Sequence, residues 1–169
     1  AVTTFLFNRI MMGLLGEDGV AAVTIMIYSQ FLLTTLYVGF SMGVSPVISY
    51  QLGAQNHRNL SRIMSICLTF IVSVSVFIFA LSMTFGSALV TVFSPVGTPV
   101  YEIAAKGFPA FSFSFLFCGV GIFASAAFTA LSDGKTSAFI SFLRTFGLIT
   151  LFLMILPDRL GVLGVWMSV

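Results

Sequence analysis

Charge is what this sequence has least of. Only 7% of its 169 residues are Asp, Glu, Lys or Arg, against 59% hydrophobic residues. Ordinary globular domains carry roughly 25% charged residues. A water-exposed surface cannot be built from so few, so a soluble domain is excluded. A bilayer removes the need, because lipid tails solvate apolar side chains directly. Cysteine is also scarce. Cys67 and Cys118 lie inside apolar runs and read as small buried side chains, not as a disulfide or a metal site. No basic tract points to nucleic acid. Enzyme signatures are missing too: no His-Glu-x-x-His, no Gly-x-Ser-x-Gly, no phosphate loop and no intramembrane Asp pair. The lone His57 sits in a polar stretch. No catalytic residue, metal ligand or cofactor is therefore expected. The chain has no charged lead and no small-residue cleavage site, so no signal peptide is expected.

The few charges are gathered together. None occurs between Asp18 and Arg58, between Arg62 and Glu102, or between Lys106 and Asp133. Each gap exceeds the ~20 apolar residues that cross a ~30 Å hydrocarbon core. Mean hydropathy is +1.13. Six apolar segments follow: Ala1–Leu15, Val20–Tyr50, Ile63–Phe93, Val100–Leu131, Thr136–Leu156 and Val162–Val169. Barrel strands alternate apolar and polar over ~10 residues, whereas these runs are apolar throughout and far longer. The expected fold is all-α, a polytopic transmembrane helical bundle of about six segments. The first and last are too short to span at ~1.5 Å per residue, so they read as truncated and the chain as a fragment.

Local chemistry marks the boundaries. Gly16 is expected to end the first helix in the left-handed conformation, with Asp18 capping the second. Thr98-Pro99 reads as a helix start, Ser132-Asp133-Gly134 as a turn and Pro157-Asp158 as a stop. Short loops make consecutive helices antiparallel neighbours. The Lys and Arg count puts the loops around Arg58 and Lys135 in the cytoplasm.

Pro46 and Pro109 lie inside long segments, and Gly39 and Gly43 stand one turn before Pro46. An internal proline bends a helix. A gating hinge and static close packing are both open readings of these four residues. Among buried polar groups, Asn8 and Gln30 are expected to line a pocket, and Arg144 is either a functional charge within the membrane or one that snorkels to the interface. Phe113 and Phe117 belong to a phenylalanine-rich stretch, one face of which suits an apolar pocket beside Cys118. Glu102 and Lys106 are spaced for an interfacial helix pair.

One stretch is more specific: Gly39-Phe-Ser-Met-Gly43-Val-Ser-Pro46-Val-Ile-Ser-Tyr-Gln-Leu-Gly53-Ala-Gln-Asn56-His-Arg58. It resembles the multidrug and toxin extrusion (MATE) family, with its Gly- and Pro-rich helix, Gly-Ala-x-Asn and basic loop. Gly53, Asn56 and Arg58 are that loop motif here. Upstream, Gly16-Glu-Asp-Gly-Val-Ala-Ala22 resembles the start of the same helix. Downstream, Phe128-Thr-Ala-Leu-Ser-Asp-Gly-Lys135 with Arg144 resembles the family's tenth and eleventh helices.

The resemblance implies a twelve-helix protein in two six-helix lobes. Residues 1–169 correspond to the C-terminal lobe, from within helix seven to the start of helix twelve. It implies an exporter of cationic or amphipathic drugs in exchange for Na+ or H+, in a bacterial plasma membrane, with the lipid bilayer and the missing N-terminal lobe as partners. The sodium-coupled branch carries carboxylates at positions that fall near Ala1 and Cys118. Neither is acidic here, so the coupling-ion site is expected outside this chain. The alternative is a lipid-linked oligosaccharide flippase of the same superfamily. A channel or membrane enzyme finds no motif.

Overall fold

Inside lipid, each backbone N–H and C=O must find its partner within the protein, and a helix does this within one segment. The computed structural model describes residues 2–168, less the side chains of Val2 and Asp158. Among the described residues the regular structure is entirely helical. Its elements are α1 (Val2–Gly53), α2 (His57–Phe93), α3 (Pro99–Ser112), α4 (Ser114–Ala130) and α5 (Gly134–Phe142). A π-helical turn (Leu143–Leu148), α6 (Ile149–Leu160) and α7 (Val162–Met167) follow. Three helical stretches are long and apolar enough to cross a membrane: Thr3–Gly53, His57–Phe93 and Gly134–Pro157. The bent pair α3–α4 makes a fourth.

Helix α1 is two arms. At Gly16 the backbone turns to φ 66°, ψ −150°. The φ is positive, as expected, but ψ is extended and not left-handed helical. Essentially only glycine visits this region. The arms fold back on one another. Thr3 and Phe7 of the first arm share a cavity wall with Val23, Met26 and Gln30 of the second. On a straight helix Thr3 and Gln30 would stand ~40 Å apart. Asp18 does not cap the second arm as expected. It lies exposed beside Glu17 in the first turn after the break, where negative charge complements the helix N-terminus. The two arms, α2, α3–α4, the α5–α6 rod and α7 make six rods. The first arm, ~21 Å, and α7, ~9 Å, are too short to cross.

Rod α3–α4 is central and touches α1, α2, α5 and α7. Its Phe108, Phe111, Phe115 and Phe123 are fully buried. Helix α2 offers it one narrow stripe, Cys67, Ile71, Ser75, Ile78, Ser82, Gly86 and Val90. Steps of four and three keep these residues on a single face, and most of the large apolar side chains elsewhere on α2 are exposed, with Ile63, Met64, Val74 and Leu89 half-buried at its edges. Contacts are made over small residues, the usual device in lipid, where apolar burial alone does not hold helices together. A Cβ at Gly86 would collide with the Phe108 ring. One at Gly107 would fall 2.5 Å from the Trp166 indole, and one at Gly119 2.6 Å from Tyr37 Cε1.

Several boundaries agree with their sequence signals. Thr98 caps α3, its Oγ1 accepting from Tyr101 N–H at 3.2 Å, with Pro99 next. Asp133 caps α5, accepting from Thr136 N–H at 3.1 Å and from its hydroxyl at 2.6 Å. These two bonds hold the Asp133 carboxyl below its ordinary range. Ser49 Oγ donates to the Ala130 carbonyl at 3.0 Å. That bond ties the end of α1 to the end of α4, so the turns bearing Arg58 and Lys135 lie on one face of the bundle.

Other expectations need correcting. Helix α2 starts at His57, not Ile63. Asn56 caps it, accepting from Asn59 N–H at 3.2 Å, and Arg58 and Arg62 sit in its first turns instead of a loop. The segment expected at Val100–Leu131 is two helices bent by 52°. The break falls at Phe113, four residues past Pro109, whereas a proline disturbs the turn before it. Ser112 Oγ bonds the Phe108 carbonyl at 2.8 Å, a back-bond that bends helices. Phe113 N–H reaches back only three residues, to Ala110 at 3.4 Å. Pro157 does not stop α6, which runs on to Leu160. Gly161, at φ 59°, ends it and turns α7 back so closely that a Cβ at Gly164 would collide with the Leu156 carbonyl.

Candidate functional site

The bend at Phe113 swings α4 away from α3 and opens a cavity of about 970 Å³. Its walls are the second arm of α1, both limbs of the bend, the π-helical turn, the start of α6 and the end of α7. Phe31, Phe113, Phe117, Phe152 and Trp166 supply rings. Gln30, Thr34, Ser41, Ser125, Arg144 and Thr145 supply polar groups. Its volume is at the upper end of the ~300–1,000 Å³ of small-molecule sites, and its mix of apolar wall and a few polar anchors is theirs too.

Gln30, Phe113, Phe117 and Cys118, expected as lining, are all in this wall. Phe113 and Phe117 are 51% and 75% exposed, so their faces are free to meet a ligand. Asn8 is not part of the wall. Its Oδ1 is buried with no hydrogen-bond partner. Gly39, Gly43 and Pro46 lie outside it, on an exposed stretch of α1. A Cβ at Gly39 or Gly43 would meet nothing within 4 Å, so within this chain they serve no close packing. Gly16 is the one break in the helical backbone of α1, and the helix runs unbroken through Pro46. Pro109 is exposed on α3, before the bend. Gly53 ends α1, Asn56 caps α2 and Arg58 stands in the first turn of α2, away from the cavity.

Arg144 is the residue for which sequence reasoning left two readings open. It stands in the π-helical turn and lines the cavity. Its stem lies across Gly121, where a Cβ would fall 2.6 Å from Arg144 Cδ. Nη1 is 3.8 Å from Cys118 Sγ. The available signal was that Arg144 is the only charge between Lys135 and Asp158. A π turn often marks a functional site, but apolar composition does not announce one. Beside it, Ser125 Oγ meets Ser141 Oγ at 2.6 Å and Ser137 Oγ at 3.0 Å, and Thr129 Oγ1 meets Ser137 Oγ at 2.7 Å. This hydroxyl ladder joins α4 to α5.

Among the described residues no cluster of three His, Cys, Asp or Glu could hold a metal. Glu102 and Lys106 pair at 3.7 Å, both well exposed, and such a pair contributes little. Ala1, one of the two positions matched to a family carboxylate, lies outside the described residues. The other, Cys118, is half-buried at the cavity wall.

The family model described as MatE matches residues 2–155. A solved structure described as the outward-facing conformation of a multidrug resistance MATE family transporter of the MOP superfamily superposes with a TM-score of 0.89. Identity is 19%, over 99% of this chain and 38% of that one. A second, MATE in complex with MaL6, gives 0.85 at 19% identity with the same coverage. This chain thus spans 38% of the length of either transporter. No curated protein sequence matches it.

Proposed function

This chain belongs to the MATE family of membrane transporters, and from that premise we propose that it forms the C-terminal lobe of a secondary multidrug exporter. The observation that carries the reading is the ring-lined cavity of about 970 Å³ at the α3–α4 bend. A wall of Phe and Trp faces with scattered amides and hydroxyls takes amphipathic molecules of many shapes, because rings give contact area without demanding one geometry. The second lobe closes the open side, and rocking of the lobes moves the cargo. The face bearing Arg58, Arg62 and Lys135 is cytoplasmic by the Lys and Arg rule, in a bacterial plasma membrane.

Export is driven by Na+ or H+, and the coupling group belongs to the other lobe. A dehydrated sodium ion is best held with an anionic ligand, and a proton carrier needs a titratable group in the cavity. No Asp, Glu or His is among the lining residues. A lipid-linked oligosaccharide flippase is the second reading, and the positive charge of Arg144 in the wall favours it. One guanidinium among rings suits an aromatic amphipath better than a diphosphate with a sugar chain.

The test is ion-gradient-driven efflux of an aromatic dye from proteoliposomes carrying the full transporter. The double variant Phe113→Ala/Phe117→Ala should slow efflux at least tenfold, while Glu102→Gln keeps coupled exchange near the parent rate. Parental efflux in the double variant sinks the cavity as the drug site. Uncoupling by Glu102→Gln moves the ion site into this lobe.

A further inference from the structure

The one charged side chain in the cavity wall is a cation with no partner. Arg144 Nε is fully buried and makes no hydrogen bond. Its Nη1 has only the Cys118 sulfur, at 3.8 Å, and a thiol is a weak acceptor. The acid nearest in sequence is Asp133, ~16 Å back along the helix and engaged with Thr136. The one ion pair among the described residues is Glu102–Lys106. An unpaired guanidinium on a cavity wall within a membrane-spanning segment is a functional hypothesis by default. The surroundings hold it in place. Gly121 clears room for its stem, and the π-helical turn sets it against the cavity.

A guanidinium presents a flat fork of donors that matches a carboxylate or sulfonate two bonds at a time. We propose that this cavity takes amphipathic ligands that carry an anionic group on an aromatic body. The anion sits on Arg144 and the body lies against Phe113, Phe117 and Phe152. The inference rests on the cavity being the drug site and goes further, because it reverses the sign of charge that this lobe recognises. An anion neutralises the unpaired cation, whereas a cationic ligand adds a second positive charge to a wall with no carboxylate.

The experiment compares two probes with one skeleton, anionic 8-anilinonaphthalene-1-sulfonate and neutral N-phenyl-1-naphthylamine. Binding to the full transporter is read by fluorescence against empty phosphatidylcholine nanodiscs. High salt screens surface charge and leaves a buried site less affected. Arg144→Gln should weaken the sulfonate at least tenfold and the neutral probe less than twofold, and Arg144→Lys should fall between. Cys118→Asp, which sets a carboxylate beside the guanidinium and leaves Arg144 in place, should weaken the sulfonate as much. It serves if Arg144→Gln does not fold. Equal changes for both probes, or none, overturn the inference. If the parent binds neither probe, the drug-site reading falls and this inference with it. Nanodiscs containing phosphatidylglycerol should leave sulfonate affinity within twofold. A tenfold loss there would give the site to a lipid headgroup and overturn the assignment to a soluble amphipath.

Discussion

Gly119 sits where three helices meet, and adding one carbon there tests the packing directly. Its Cβ would lie 2.6 Å from Tyr37 Cε1 and 2.7 Å from Ser75 Oγ. Comfortable separations are ~3.5–4.0 Å, so α1 or α2 must withdraw by about an ångström. Neither neighbour has room, since Tyr37 and Ser75 are each 1% exposed. Overfilling a close-packed site costs ~1–3 kcal/mol, and alanine recovers up to ~1 kcal/mol of helix propensity. The clash is on two sides, so the upper end applies and Gly119→Ala should lose about 2 kcal/mol. The shift is ~2–4 °C per kcal/mol for ~150–250 residues and roughly half that for a full transporter more than twice this length, so the melting temperature falls by about 2–4 °C. The assay is survival of the monodisperse peak on size exclusion after heating the full transporter in detergent. Gly43→Ala, where nothing lies within 4 Å, is the matched control and should melt at or above the parent. Adding Ser75→Gly should restore part of the loss, because it removes one of the two clashing atoms. Gly119→Ala melting with the parent, or Gly43→Ala falling as far, would refute the reasoning.

Gly16→Ala forces an L side chain into a conformation near glycine's alone, at ~1–3 kcal/mol. Folded yield should drop, and unchanged yield would mean that the hairpin of α1 turns elsewhere. Asp133 has a lowered folded-state pKa, so its cap contributes fully above the ordinary carboxylate range and is lost as pH falls through the lowered value. The melting temperatures of Asp133→Ala and parent should therefore differ at neutral pH and converge in acid; a gap that widens on acidification has the wrong sign. Pro46→Ala should restore the backbone bond that proline denies α1 and slow efflux at unchanged membrane insertion. Parental efflux at equal expression removes the hinge reading of Pro46.

What was legible in the sequence was what depends on one or two residues or on composition. The charge-free gaps mark the long rods because a buried charge is expensive in any fold. Thr98-Pro99 and Ser132-Asp133-Gly134 act through hydrogen bonds within a few residues, so they read correctly. Gly16 read correctly as a break but not in its ψ, which depends on where the first arm must go. The bend was assigned to Pro109 because proline is visible in a sequence, whereas the Ser112 back-bond to Phe108 is one of many equivalent options for a serine. Pro157 was overvalued for the same reason. A helix that has lost one hydrogen bond continues if its neighbours hold it. Four of the five expected lining residues came together because Phe113, Phe117 and Cys118 share the bend and Gln30 faces it. Arg144 stayed between two readings because a long cation can snorkel, and the glycine opposite that gives its stem a bed lies on another helix.

The π-helical turn does more than hold one arginine. Each residue of an α-helix advances ~100°, so Leu153 would stand about 120° around the rod from Ser141 if the rod were regular. The looser ladder of Leu143–Leu148 accommodates roughly one residue more than its turns need, which sets the phase back by about 100°. Leu153, 1% exposed, then falls within about 20° of the Ser137–Ser141 face. The turn thus works as a phase corrector between two stretches of code, a hydroxyl-reading one and a hydrocarbon-reading one, that would otherwise face different ways. A one-residue deletion that closes Leu143–Leu148 into regular helix keeps Leu153 about 20° from Ser141, since eleven steps of ~100° reach the same angle, whereas a one-residue insertion rotates everything after it by about 100° and carries Leu153 out toward lipid. The segment can therefore lose its extra residue and keep its phase, but it cannot gain another.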